Sequence, residues 1–260
     1  MIRLEGNGPE RQFEGAAGEE PQARIETARG WIQSAKSVVI LTGAGISAES
    51  GIPTFRGEGG LWRNYRAEDL ATPEAFARDP HLVWEWYDWR RQLLANAEPN
   101  AGHLAIADFQ RRSKDCTLVT QNVDGLHDRA GSFGILKLHG DIWRMRCMSC
   151  GAEWPDRKAP LPKLPPKCQC GGMARPGVVW FGEALPPGMM EEAGHAVESA
   201  EVLLVVGTSA VVYPAAGLVP LAKRAGAKVV EVNIAETPMT SIVDAAVPAP
   251  SAEVLPLLLG

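Results

Sequence analysis

The chain has 260 residues, a formal net charge of -5, 45% hydrophobic residues and 22% charged residues. These values suit a globular protein with one large domain and a smaller one. The acidic balance argues against a general nucleic-acid binder, which needs basic faces to displace counterions, and no apolar run is long enough to span a membrane.

Residues 1–20 are polar, Gly-rich and acidic. They lack the apolar stretch of a signal peptide, and their glutamates disfavour a transit peptide, so a flexible lead-in on a cytoplasmic protein is expected. IETARGWIQS (25–34) reads as a helix, with Ile25, Trp31 and Ile32 apolar. SVVILTGAG follows, a β-branched run ending in glycine, which predicts a buried strand entering a tight turn. Similar runs recur at 116–122, 201–209 and 228–234, separated by helical stretches such as 191–200 and 214–226. Alternating strands and helices predict an α/β fold, a doubly wound parallel sheet of Rossmann-like type. Each of these strands ends in small or polar residues (TGAG, TQN, GTS, VNI), and ligands of open α/β sheets bind at strand carboxyl ends.

Two segments interrupt the alternation. Residues 66–103 are helix-rich, with Thr72 before Pro73 as a cap and first-turn pair. Residues 141–180 hold cysteines and prolines and are too poor in apolar residues to form a core alone. The expected small domain is therefore 66–103 plus 141–180, a helical insert joined to a metal module. Residues 21–65, 104–140 and 181–260 form the larger domain. PDRKAPLPKLPPK (155–167) is expected to be a solvated loop.

Four of the five cysteines lie within Cys147-x-x-Cys150 and Cys168-x-Cys170, the pairs being 17 residues apart. Two close thiolate pairs suit tetrahedral zinc with a closed coordination sphere, hence a structural metal. Disulfides are disfavoured by a reducing compartment, and a redox C-x-x-C would leave the second pair unexplained. Cys116 begins a strand and is expected in the core.

Gly43-Ala44-Gly45-Ile46-Ser47-Ala48 fits G-x-G-x-x-A directly after a strand, a turn that lets a pyrophosphate approach a helix N-terminus. A hydride-transferring dehydrogenase would end its next strand in an acidic residue about 20 positions on. Here that region is LWRNYRAEDLATP, which is no strand.

The longer motif GAGISAESGIPTFRG (43–57) resembles the cofactor loop of sirtuins. TQNVDGLH (120–127), LHG (138–140), GVVWFGE (177–183), GTSAVVYPAA (207–216) and VNI (232–234) also match, in the family's order. The resemblance implies an NAD-dependent protein lysine deacylase. NAD is consumed: the acyl-lysine amide oxygen attacks C1′ of the nicotinamide ribose, nicotinamide leaves, and the acyl group ends on the 2′-hydroxyl of ADP-ribose. It implies His139 as general base, a task suited to imidazole, with Asn122 assisting. For NAD it implies Gly43, Ala44, Gly45, Ser47, Phe55, Arg56, Gln121, Asn122, Val123, Asp124, Gly207, Thr208, Ser209 and Asn233. Asp124 would accept from the nicotinamide carboxamide, and the Ser47, Thr208 and Ser209 hydroxyls would serve phosphates. His127 is read as structural. Val178 and Phe181 would line the acyl-lysine channel, and backbone at 178–182 and 211–213 would pair with the substrate peptide as an added strand. The resemblance also carries the zinc ligands Cys147, Cys150, Cys168 and Cys170.

Tyr87 and Arg90 stand at i and i+3 and share a helix face. They resemble the desuccinylase and demalonylase subgroup, in which such a pair grips a carboxylate at the acyl tip, and Ala71 resembles its small pocket residue. The dense aromatics around them allow a second reading in which Tyr87 packs and Arg90 is solvated. The expectation is a monomer acting on acyl-lysine proteins or peptides, favouring succinyl or malonyl groups, with no membrane or nucleic-acid partner. A general deacetylase and a mono-ADP-ribosyltransferase are the alternatives, with a catalytically silent NAD-binding module behind them.

Overall fold

The computed structural model describes residues 3–4, 21–54, 65–113 and 115–260. In chain order, β1 (Arg3–Leu4) is followed by α1 (Pro21–Ser34), β2 (Val38–Thr42) and α2 (Gly45–Ala48). Three insert helices come next: α3 (Ala67–Leu70), α4 (Pro73–Arg78) and α5 (Pro80–Asn96). Then come α6 (Ala101–Arg112), β3 (Cys116–Thr120), α7 (Leu126–Ala130) and β4 (Leu136–Lys137). The cysteine segment contributes β5 (Gly140–Cys147), β6 (Glu153–Pro155) and β7 (Ala174–Val178). The chain then runs through α8 (Met189–Ser199), β8 (Val202–Val206), β9 (Val212–Tyr213), α9 (Leu218–Ala225), β10 (Lys228–Asn233), β11 (Ala245–Pro248) and α10 (Ser251–Leu259).

The main sheet has the order β11-β10-β8-β2-β3-β4, and every neighbouring pair is parallel. Its residues alternate between two cores as the strand period of two requires. Val38 and Ile40 of β2 and Val202, Leu204 and Val206 of β8 face a layer containing residues of α1, α6 and α10. Val39, Leu41, Leu203 and Val205 face the opposite layer, with α8 and α9. This is the doubly wound Rossmann-like architecture expected from the alternation of strands and helices. The order reverses between β2 and β8, so the ligand crevice of such a sheet opens at their carboxyl ends.

A third core cluster joins the two interruptions. Trp84, Trp86, Tyr87 and Leu94 of α5 pack with Ile142, Trp143 and Met145 of β5, and with Leu161, Val178 and Trp180. Neither segment carries enough apolar surface alone, and pooling solves that. Thr72 caps α4 by accepting from the Ala75 N–H at 3.0 Å, with Pro73 in the first turn. Asp79 caps α5 in the same way, through the Leu82 N–H. The buried Arg91 pairs with Asp156 at 2.8 Å, and the Leu161 N–H donates to Asp88 at 2.7 Å, fixing α5 to the cysteine segment.

Two expectations need correction. The loop 155–167 is not simply solvated: Leu161 is buried, and Ala159 and Leu164 pack against the same core, because its spaced apolar residues have the Trp-rich α5 to cover. Residues 1–20 are not wholly a lead-in, since Arg3 and Leu4 pair antiparallel with Tyr213 and Val212. The rest of that segment lies outside the described residues. The helix after the glycine loop is a single turn, Gly45–Ala48, with Gly51 at φ 78 beyond it. Cys116 is half-buried and packs at the edge of the sheet core.

Candidate active site

A cavity of about 1260 Å³ opens where the strand order reverses. Gly43, Ala44 and Gly45 line it from β2, Gln121, Asn122 and Val123 from β3, and Gly207, Thr208 and Ser209 from β8. Asn233 lines it at the end of β10, and His139 precedes β5 on its wall. Ala71, Tyr87, Arg90, Val178 and Phe181 line the same cavity. Residues named from six separate motifs thus share one continuous space. Phe55 and Arg56 lie outside the described residues.

The glycines of the loop serve a contact not anticipated from sequence. A Cβ on Gly43 would come within 2.7 Å of Thr208, and one on Gly45 within 2.7 Å of the Gly207 backbone. The loop after β2 therefore lies directly against the loop after β8, joined by a hydrogen bond from the Gly45 N–H to the Gly207 carbonyl at 2.7 Å. Close approach between two stretches of protein backbone demands glycine here, whatever a phosphate adds.

His139 is defined by its two nitrogens. Nδ1 lies 3.0 Å from the Gln121 carbonyl oxygen, which only accepts, so Nδ1 carries the proton. Nε2 is buried and has no hydrogen-bond partner among the described residues. Burial pushes the imidazole pKa down to about 4, so the ring is neutral near pH 7 with a lone pair on Nε2. That is the protonation state a general base requires.

Two expected ligand contacts turn inward instead. Ser47 does not line the cavity: its buried hydroxyl donates to Asp124 Oδ2 at 2.8 Å. Asp124 is also buried. Its Oδ1 accepts from the Leu126 N–H at 2.8 Å, so both oxygens have partners within the chain, and burial raises its pKa. Ser47 and Ile46 form the buried face of α2, so the hydroxyl faces the interior. The Asn122 side-chain amide donates to the Gly43 carbonyl at 3.0 Å, holding the strand end against the glycine loop. Gln121 donates to Thr208 Oγ1 at 2.9 Å, and Asn233 to the Thr208 carbonyl at 3.2 Å. These polar residues therefore brace one another as well as facing the cavity. His127 does not line the cavity: it is buried, its Nε2 3.0 Å from Thr42 Oγ1 and its ring 4.9 Å from that of His103.

At the other wall Tyr87 is buried and its hydroxyl oxygen accepts from Trp180 Nε1 at 2.9 Å. The Arg90 guanidinium lies 5.5 Å from the Trp86 ring centroid. Both expected side chains thus reach the cavity, Tyr87 packing among aromatics at the same time.

The four cysteine Sγ atoms lie within 4.8 Å of one another, with Cys147–Cys170 at 3.5 Å and Cys150–Cys168 at 3.8 Å. Zinc–sulfur bonds of about 2.3 Å imply tetrahedral edges of about 3.8 Å. Backbone N–H groups of Ser149 and Cys150 point at Cys147 Sγ, 3.4 Å away, which favours a thiolate there. The donor set therefore fits a closed structural zinc site.

Some functional candidates had no clear sequence signal. Glu231 on β10 is buried and accepts from Thr237 and Thr240 hydroxyls, each at 2.5 Å, anchoring a loop that lines the cavity. Glu68 and Trp86 also line it. Trp180 sits inside the GVVWFGE motif, but only the fold reveals that it touches Tyr87.

Residues 43–214 match the model of the Sir2 family. The chain is 58% identical over 209 residues to an NAD-dependent protein deacylase of Aquifex aeolicus, covering 80% of this chain and 87% of that one. It is 44% identical over 249 residues to the mitochondrial NAD-dependent protein deacylase sirtuin-5 of Canis lupus familiaris, covering 85% and 80%. Among solved structures, a Sir2 homologue in complex with NAD superposes with a TM-score of 0.86 at 46% identity over 96% of each chain.

Proposed function

The chain belongs to the Sir2 family and is an NAD-dependent protein-lysine deacylase, and from that premise we propose that it favours acyl groups ending in a carboxylate, succinyl or malonyl, over acetyl. The observation that carries this reading is that Tyr87 and Arg90 line the same cavity as His139. A cation and a phenol beside an otherwise apolar channel of Ala71, Val178 and Phe181 suit a chain with an anionic tip. The similarity to sirtuin-5 supports it.

In this reading NAD lies along the loops after β2 and β8, held by Gly43, Ala44, Gly45, Gly207, Thr208 and Ser209, with Asn233 at the adenine ribose. Gln121, Asn122 and Val123 bound the nicotinamide ribose, and Ser47 and Asp124 stiffen that wall from behind. Positioning is the main task, because an amide oxygen is a weak nucleophile and must be held against C1′ with water excluded. His139 Nε2 then takes a proton from a ribose hydroxyl. The four cysteines would hold zinc, which supplies the fold of the β5–β7 sheet and no chemistry. Acyl-lysine proteins or peptides are the substrates. The reading includes a cytoplasmic monomer, in keeping with four thiols placed for metal. Among the described residues no helix is long and apolar enough to cross a membrane.

The test is a steady-state comparison of one peptide carrying succinyl-lysine or acetyl-lysine, for wild type and Arg90→Met. The ratio of succinyl to acetyl kcat/KM should fall at least about tenfold in the variant, the worth of one charge-assisted contact. A wild type that prefers acetyl, with a ratio indifferent to Arg90→Met, would leave a general deacetylase.

A further inference from the structure

We propose that Trp180 is a specificity-positioning residue: its indole N–H fixes the Tyr87 hydroxyl as a donor toward the acyl tip. The proposal rests on the carboxylate-clamp reading and deepens it.

The argument begins with hydrogen-bond capability. An indole nitrogen donates and cannot accept, whereas a phenol does either. With Trp180 Nε1 2.9 Å from Tyr87 Oη, the phenol oxygen must accept, and its own proton has to point elsewhere. Among the described residues the indole is the one hydrogen-bond partner of that oxygen. Tyr87 lines the cavity beside Arg90 and is otherwise enclosed, its ring edge-on to Trp86 at 4.5 Å and to Trp84 at 6.2 Å. The ring cannot readily turn the hydroxyl away. Burial also keeps the phenol protonated, raising its pKa.

The indole is itself clamped. The Arg175 guanidinium stacks over it, 3.3 Å from the ring centroid, and Phe76 packs at 5.1 Å. Glu183 accepts from both Arg175 nitrogens, at 2.6 and 2.8 Å, and from the Trp180 backbone N–H at 2.8 Å. Arg175 also donates to the Val178 carbonyl at 2.9 Å. The line Glu183–Arg175–Trp180–Tyr87 thus ends in one oriented O–H. A phenol free to rotate would present a lone pair to an incoming carboxylate for part of the time. A phenol whose acceptor side is occupied presents a proton, which favours a carboxylate-tipped acyl chain and gives nothing to a methyl.

The experiment is a double-mutant cycle of Trp180→Phe and Tyr87→Phe, read as the ratio of succinyl to acetyl kcat/KM alongside wild type and Arg90→Met. Trp180→Phe should lower that ratio several-fold, and in the Tyr87→Phe background it should lower it no further. Equal loss on both substrates, or an effect that multiplies in the double variant, would overturn the proposal and leave Trp180 a packing residue. A succinyl preference that collapses in Arg90→Met but survives Trp180→Phe would overturn this proposal alone. A wild type with no succinyl preference would overturn the clamp reading and this proposal with it. If Trp180→Phe does not fold, benzothienylalanine at position 180 keeps the shape and deletes the N–H, and the same ratio decides.

Discussion

His139 Nδ1 donates to the Gln121 carbonyl across 3.0 Å, so one wall residue of the cavity sets the tautomer of another. In the proposed reading, removing the imidazole removes the base and, within the chain, gives up the hydrogen bond to Gln121. His139→Ala should lose about 10² to 10⁴-fold in turnover while its melting temperature stays near wild type. A folded His139→Ala enzyme with ordinary turnover would end the base assignment.

Acid stability follows from the neutral histidines. His103 is fully buried and its pKa is lowered to about 4 by burial, and that of the neighbouring His127 is lowered well below 6.5. Between about pH 6.5 and 4 the unfolded chain binds protons that the folded chain refuses, so stability falls as pH falls through that window. For His103 the loss is at most about 3 kcal/mol. Denaturant melts of wild type and His103→Gln at pH 7 and pH 5 would measure it, and the variant's stability should depend less steeply on pH.

Metal removal should act on structure. Chelation under reducing conditions, or Cys147→Ser, should melt the β5–β7 sheet and loosen α5, which that segment grips through Arg91–Asp156 and Asp88–Leu161. Differential scanning calorimetry with and without chelator tests this. An unchanged trace would mean the thiols do not hold a metal on which the fold depends.

The sheet, its winding and the crevice were legible in the sequence because buried parallel strands announce themselves as short β-branched runs. β2, β3, β8 and β10 were all visible this way. β4, with two residues, and β11, in AAVP, carry too little pattern. The site was legible as a set of motifs but not as a network. Nothing in the spacing says that Ser47 turns inward to Asp124, because that bond joins residues 77 positions apart. The pairing of Trp180 with Tyr87 bridges 93 positions and has no local signal. Nor did the prolines of 155–167 disclose that Leu161 would be buried, since its partner is the aromatic face of a helix far upstream.

Glu231 should matter for the cofactor more than for the chemistry. Its two bonds to Thr237 and Thr240 hold a loop that lines the cavity. Glu231→Ala should raise KM for NAD more than it lowers kcat, and cost roughly 1 to 3 kcal/mol of stability. Unchanged KM with reduced stability would confine the residue to folding.

β1 pairs with Val212 and Tyr213 of β9, within the 211–213 backbone that the family resemblance assigns to the substrate peptide. Residues 1–35 contain no lysine, so Arg3 and Leu4 can lie on that edge without presenting a substrate side chain. Deleting residues 1–20 should lower KM for the peptide, about twofold if the edge is covered half the time, and leave KM for NAD unchanged. A peptide KM that does not move would show that the pairing does not compete with substrate.

Gly43 and Gly45 press on Gly207 and Thr208 so closely that none of the three glycines has room for a Cβ. The two segments, some 160 positions apart, therefore behave as halves of a single moulded part. A scheme that grafts this nucleotide cradle onto another sheet must transplant both halves together. A library that randomises one half alone will return mostly unfolded chains.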